Sequence, residues 1–271
     1  MFIHGGQLLC ISLLDLIVRR LAGAGFHLDA GKGLRCCACG ANIRVDLCAT
    51  LLVCLPGSER EKNIDLQKKV FVFPIESNNS AVFLKAPLQQ PLTGFTVCLR
   101  SYTLLTRGYG LFSYATKRNY NEILLYKVDP NEYRLYVGDS AVTFSLPEKQ
   151  GSKSNWEHIC VSWDSATGLV ELWVDGRPLP RTGLKKGYSI NPEASIVLGQ
   201  DQDSFGGGFA TKESFVGEMK DVYMWGRVLT ANEVNLVWND IRVDNCLINW
   251  KDLDYETRGY VVLQPSLFPR Y

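Results

Sequence analysis

The stretch His158-Ile159-Cys160-Val161-Ser162-Trp163-Asp164-Ser165 and, after a short connection, Val170-Glu171-Leu172-Trp173-Val174-Asp175-Gly176 decide the fold class. His158 to Trp163 and Val170 to Val174 are short runs rich in β-branched and aromatic residues, each closed by turn formers, and so read as strands. Asp175-Gly176 is a hairpin signal because both residue types tolerate a positive φ. The same texture recurs outward in both directions. Val70 to Phe73 stops at Pro74, Phe95 to Leu99 follows Gly94, and Glu122 to Lys127 ends before Asp129-Pro130. Tyr133 to Val137, Val142 to Leu146, Ser195 to Leu198 and Lys220 to Trp225 complete the set. Many short strands broken by turns predict a sandwich or barrel. One helix is expected, because Thr230-Ala231-Asn232-Glu233 spells a capping box ahead of Val234, Val237 and Trp238; it should run to about Asn239.

The whole chain has 271 residues, with Lys+Arg 29 against Asp+Glu 28 and 46% hydrophobic residues. That is a globular composition, sufficient for one or two domains. The balanced charge excludes a strongly basic nucleic-acid surface or an acidic solvating tail, and no specific nucleic-acid motif is found. Three histidines (His4, His27, His158) leave a Ser-His-Asp relay or a multi-histidine zinc site little to draw on. Glu171 and Asp175 are the one carboxylate pair suited to a glycoside hydrolase, where acid and nucleophile stand about 5 Å apart. No interleaved acid tunes either pKa, so the chain is not read as an enzyme.

Six of the nine cysteines (Cys10, Cys36, Cys37, Cys39, Cys48, Cys54) crowd the start of the chain. The apolar run Gln7 to Val18 is too short to span a bilayer, and Arg19-Arg20 follow it where a secretory leader has its basic residues in front. Leu47 to Leu55, ahead of Pro56-Gly57-Ser58, resembles the end of a leader displaced inward. Zinc at the Cys36-Cys37-Ala38-Cys39 cluster is disfavoured by the later five-residue cysteine spacing and the apolar, Gly-rich surroundings. Residues 1–63 are therefore taken as a leader or extension, and 64–271 as the domain. In that domain Cys98 and Cys160 fall on two predicted strands, and closing so long a loop would stabilise by a few kcal/mol if the thiols meet. Cys246 is left over, expected as a buried small hydrophobe.

His158-x-Cys160-x-Ser162-Trp163-x-Ser165 matches the signature H-x-C-x-[ST]-W-x-[ST] of the pentraxin family. Val70 to Pro74, Phe95 to Cys98, Leu111 to Tyr114, Leu198 to Gly207 and Phe215 to Glu218 are similar to the same family, over about Ile64 to Tyr271. The resemblance implies a two-sheet antiparallel jelly-roll sandwich, all-β and concanavalin- or laminin-G-like, with one short helix on one face. It also implies a Cys98–Cys160 disulfide, a secreted homo-oligomer (usually a pentamer) and a calcium-dependent ligand site on the face opposite the helix. Family members hold two ions per protomer and act as innate-immune pattern-recognition lectins, with complement and Fc receptors as further partners.

Calcium takes six to eight oxygens. Asp201-Gln202-Asp203 supplies two carboxylates at i and i+2, which share one side of an extended chain, and Phe205-Gly206-Gly207-Gly208 lets the chain double back toward Glu213. The family carries an Asp-Asn pair after its LFSY strand; here the pair is Tyr120-Asn121, so the aspartate is missing. Tyrosine, with a pKa near 10, is no hard anion at neutral pH. The expected ligands are Asn121, Asp201, the Gln202 carbonyl, Asp203 and Glu213. Ala210 stands where relatives carry an acid, Asp201 is shorter than their glutamate, and Glu213 replaces a glutamine and adds charge. Weaker calcium binding is the expectation. Tyr126 and Tyr136 are expected to flank the ligand pocket. Ala141 stands where a glutamate in some members holds a quaternary ammonium, which favours phosphoethanolamine-like or anionic carbohydrate ligands over phosphocholine. The alternative is an oligomeric scaffold that has lost calcium-dependent binding. Asn78-Asn79-Ser80 is an N-glycosylation sequon, His158 is expected as a hydrogen-bonded structural residue, and Lys185-Lys186 as a basic loop at the surface or between protomers.

Overall fold

The structure, a computed structural model, describes residues 66–86, 88–147 and 156–267, together with the backbone of three short N-terminal strands. Those three, β1 (Phe26–Asp29), β2 (Gly33–Cys36) and β3 (Asn42–Ile43), form an antiparallel sheet in that order. The apolar runs 7–18 and 47–55, with Cys10, Cys37, Cys39, Cys48 and Cys54, lie outside the described residues.

The second unit is a sandwich of two antiparallel sheets. In chain order its strands are β4 (Lys69–Phe73), β5 (Ala81–Leu84), β6 (Gly94–Tyr102), β7 (Tyr109–Thr116), β8 (Ile123–Asp129), β9 (Glu132–Val137) and β10 (Ser140–Ser145). There follow β11 (Glu157–Asp164), β12 (Leu169–Val174), β13 (Arg177–Pro178), β14 (Thr182–Gly183), β15 (Ala194–Leu198), β16 (Gly217–Trp225), the helix α1 (Ala231–Trp238), β17 (Tyr255–Arg258) and β18 (Val262–Pro265). One sheet runs β10-β9-β8-β7-β15-β5-β17; the other runs β13-β12-β11-β6-β16-β4-β18, with β14 added to β12. No described helix is long and apolar enough to cross a membrane.

Period-two alternation sorts the side chains. Phe95, Val97 and Leu99 of β6 and Ile159, Val161 and Trp163 of β11 point into the same core as Ile123 and Leu125 of β8 and Tyr133, Leu135 and Val137 of β9. Each fully buried side chain of this size contributes about 1.5–3 kcal/mol of apolar burial. Trp163 also satisfies its ring N–H, which donates to the Leu184 carbonyl at 2.8 Å. A charged tie crosses between the sheets. Lys127 Nζ lies 3.1 Å from Glu157 Oε2, which also accepts from the Tyr133 hydroxyl at 2.7 Å.

The intervening residues of β6 and β11 point outward from the second sheet. Cys98 and Cys160 sit opposite one another in register and form a disulfide, S–S 2.01 Å, closing a separation of 62 residues. They pack with Trp225, Leu229 and the α1 residues Val234 and Val237. The capping box exists as expected: the Thr230 hydroxyl accepts from Glu233 N–H, and the Glu233 carboxylate accepts from Thr230 N–H at 2.8 Å. Arg227 donates to both Glu233 oxygens, so that carboxyl is drawn down to about 2, chiefly by this pairing and the backbone bond.

Three expectations are refined. His158 is 1% exposed, but its Nδ1 has no hydrogen-bond partner among the described residues, and Nε2 has only the Cys160 sulfur at 3.6 Å. Its neighbours are the disulfide and the Trp238 ring, 5.3 Å away, which offer no strong acceptor. Cys246 is a free thiol only half-buried against the helix cluster. Glu122 falls just before β8, where its buried carboxylate accepts from Asn191 N–H (3.0 Å) and the Tyr188 hydroxyl (2.9 Å).

Candidate functional site

On the first sheet, Ile123 and Leu125 face the core, so Leu124 and Tyr126 point outward on the side away from α1. Arg134 pairs directly with Tyr126, and Tyr136 with Leu124, which makes Tyr126 and Tyr136 diagonal neighbours on one outer face. Ala141 lies opposite Tyr136 in β10 and brings no charge to it. The Arg134 guanidinium is held further protonated, first by its hydrogen bond with Tyr136. The register thus puts the two tyrosines expected at the ligand pocket on one outer face.

Next to them the chain after β15 carries Asp201, Gln202 and Asp203. It can approach β7 because Gly110 has no side chain: a Cβ there would lie 2.6 Å from the Gln200 carbonyl carbon and 2.7 Å from Asp201 N. Gln202 is completely buried, and its side-chain amide is spent on architecture. Nε2 donates to the Ser113 carbonyl and hydroxyl (both 3.1 Å) and the Ser195 carbonyl (3.0 Å), while Oε1 accepts from Gly206 N–H at 2.9 Å. This bracing was not legible in the sequence, and it leaves only the Gln202 backbone carbonyl as a candidate oxygen donor. After Asp203 the chain folds back through a paired Ser204 and Gly207, and Gly208 takes φ +77°, where a Cβ would press on Asp203 at 2.9 Å. The short 3-10 turn Thr211–Glu213 then presents Glu213.

The three carboxyls feel one another. Asp201 is pushed up to about 7, first by burial and then by Glu213 and Asp203; Glu213 is also raised, by burial and by Asp203. The Tyr126 hydroxyl is pushed up to about 12, by burial and then by Glu213 and Asp201, which places it beside the same cluster. Asp201 Oδ1 and Asn121 Oδ1 are both buried and accept no hydrogen bond from any described residue. Buried oxygens without donors cost free energy, and a cation among them removes both that cost and the mutual repulsion. One amide oxygen, one backbone carbonyl and three carboxylates are oxygen types that calcium takes. The donor types fit that ion, although Asp201, Asp203 and Glu213 do not bring one oxygen each within 4.8 Å of one another.

Tyr120, adjacent to Asn121, is 47% exposed and contributes no carboxylate, and Ala210 contributes no oxygen beyond its backbone. Asn78 is exposed in the bend between β4 and β5. Glu171 and Asp175 are committed elsewhere: Glu171 accepts from Arg181 at 2.6 Å and Asp175 from His158 N–H at 2.9 Å.

Comparison with known proteins gives a consistent result. The model of the pentaxin (pentraxin) family matches residues 69–265. The chain is 49% identical to C-reactive protein of Homo sapiens over 207 residues, 76% of this chain and 91% of that protein. It is 47% identical to serum amyloid P-component of Cavia porcellus over 204 residues, 75% and 90% of the two chains. Among solved structures, the native heptameric SAP-like pentraxin from Limulus polyphemus superposes with a TM-score of 0.69 at 26% identity, covering 75% of this chain and 98% of the other.

Proposed function

The chain belongs to the pentraxin family, and on that premise we propose that it is a secreted, calcium-dependent pattern-recognition lectin with a weakened calcium site. It is a recognition protein and not an enzyme. The observation that supports the reading is twofold: Asn121 Oδ1 and Asp201 Oδ1 are buried without donors, and Asp201, Asp203 and Glu213 lie close enough that burial and then their mutual repulsion favour the protonated carboxyls of Asp201 and Glu213. Bound calcium would supply a hard cationic centre for an anionic oxygen of the ligand. The chain's own residues do the rest. Asp201, Asp203 and Glu213 provide the negative charge that holds the cation, Asn121 and the Gln202 carbonyl complete the oxygen set, and the buried Gln202 amide keeps the loop from collapsing into it. Tyr126 and Tyr136 form the outer wall. With Ala141 opposite Tyr136, no carboxylate at that position pairs with a quaternary ammonium, although the tyrosine faces can still attract one, so a phosphoethanolamine-like headgroup or an anionic carbohydrate is the preferred ligand over phosphocholine. Tyr120 supplies no oxyanion, so the site binds calcium less tightly than a full set of acids.

The chain assembles into a ring of identical protomers, five by family habit, which converts weak single sites into tight attachment to a surface displaying many ligands. Such surfaces are microbial or damaged cells, with complement and Fc receptors as the downstream partners. Asn78 is an accessible acceptor for a glycan. The experiment is calorimetric titration of the protein with calcium, alongside Tyr120→Asp and Asp203→Ala, followed by retention on immobilised phosphoethanolamine in calcium and in chelator. Binding by the parent, abolished in Asp203→Ala and strengthened in Tyr120→Asp, supports the lectin. A parent that binds no calcium while Tyr120→Asp does makes the protein an oligomeric scaffold.

A further inference from the structure

Arg107, on the connection between β6 and β7, touches no candidate calcium ligand through its own charge, yet it joins three segments around them. Its Nη1 donates to the Gly108 carbonyl at 2.9 Å and the Lys212 carbonyl at 3.0 Å. Its Nε and Nη2 both donate to Glu76 Oε1, at 3.0 and 2.9 Å. The Lys212 carbonyl belongs to the peptide bond that leads into Glu213, so the guanidinium grips the turn presenting that carboxylate.

The Glu76 side of the grip is itself anchored. Ser77 N–H donates to the Ser214 hydroxyl at 3.2 Å, and that hydroxyl donates to the Thr211 carbonyl at 2.6 Å. Gln200 Nε2, one residue before Asp201, donates to the Ser77 and Ser80 carbonyls at 2.8 and 2.9 Å. The bend between β4 and β5 is thus bonded both to the Asp201 segment and to the Glu213 turn, although it donates no oxygen to the site. The turn cannot hold itself. Three residues of 3-10 helix, closed by the bonds from Glu213 N–H to Ala210 O and Ser214 N–H to Thr211 O, are too few to be stable alone.

We propose that Arg107 is a positioning residue which, with Glu76, clamps the Thr211–Glu213 turn so that the Glu213 carboxylate stands beside Asp201 and Asp203 before any cation arrives. The inference rests on the calcium reading of this site. It makes a prediction opposite in sign to charge alone. A guanidinium on the segment next to a cation site repels the cation, so its removal would leave calcium binding unchanged or strengthen it if electrostatics were its whole effect. If Arg107 positions Glu213, its removal weakens binding, because ordering the turn then falls on the binding event.

The test uses the full chain with Arg107→Ala, Arg107→Lys and Glu76→Ala, read by calcium titration and by amide hydrogen exchange of residues 209–216 without calcium. The clamp requires a loss of about tenfold in calcium affinity for Arg107→Ala. Arg107→Lys should not restore it, because one ammonium cannot span a carboxylate and two carbonyls as the planar fork does. Glu76→Ala should show a smaller loss in the same direction. Exchange at Glu213 and Ser214 should quicken in all three while β6 and β11 remain protected. Calcium affinity unchanged or raised in Arg107→Ala, with exchange unaltered, overturns the proposal. If the parent binds no calcium, the calcium reading falls, and the exchange data alone decide whether the clamp exists. If Arg107→Ala does not fold, Glu76→Ala carries the same comparison.

Discussion

His158 offers a stability measurement whose sign and size follow from its surroundings. The imidazole is held down to about 3 from an ordinary 6.5, first by burial and then by the Arg100 charge. In the unfolded chain it takes its proton near pH 6.5, whereas the native state refuses it until about pH 3. Between those limits the unfolded state binds more protons, so stability is complete above pH 6.5 and is lost as pH falls, by about 1.4 kcal/mol per unit. From pH 6.5 to pH 4 the loss is about 3 kcal/mol. The perturbation is His158→Leu, which retains an apolar side chain against Trp238 and the disulfide and removes the donorless Nδ1. Urea unfolding of the calcium-free protein at pH 7, 5.5 and 4 should find the variant within about 1 kcal/mol of the parent at pH 7. At pH 4 it should be the more stable of the two by about 3 kcal/mol. Carboxylate titrations occur in both proteins and cancel in the difference. Parallel profiles for the two proteins would show that the native histidine accepts its proton near the ordinary pH, and would refute the burial argument.

Two further effects follow from the helix face. Thr230→Ala removes the hydroxyl that accepts from Glu233 N–H, and thermal or urea unfolding should show a loss of about 1 kcal/mol, with the fold unchanged by circular dichroism. Replacing Cys98 and Cys160 together by alanine releases the 62-residue loop and should lower stability by about 4 kcal/mol on the loop-entropy model; a loss under 1 kcal/mol would mean that the unfolded chain is already restricted there.

What could be read from the sequence was whatever depends on local pattern. β12 alternates, β11 and β16 carry runs of apolar and aromatic residues with turn formers near their ends, and Thr230 to Glu233 spells its cap, so these elements are legible to within a few residues. β5 is only Ala81–Leu84, and β17 is the largely exposed run Tyr255 to Arg258; neither is long or patterned enough to announce itself, and they are held by tertiary pairing, β5 between β15 and β17, and β17 on the edge of β5. The acidic cluster was legible because Asp201, Asp203 and Glu213 lie close together in the chain. What braces it was not. Gln202 bonds to Ser113, 89 positions away, and Arg107 to Lys212, 105 positions away, and no local pattern marks such partners. The orphaned oxygens of Asn121 and Asp201 are likewise a property of packing rather than of residue type.

The disulfide and α1 cover the outside of one sheet, whereas Tyr126, Tyr136 and the acidic loops occupy the outside of the other, with the apolar core between. Mutational drift can therefore act on the two sides separately. A substitution at Tyr120 or Ala210 leaves the Cys98–Cys160 layer, with its cover of Trp225, Val234 and Val237, untouched. The layer that holds the fold together and the face that carries the acidic residues are therefore separately variable.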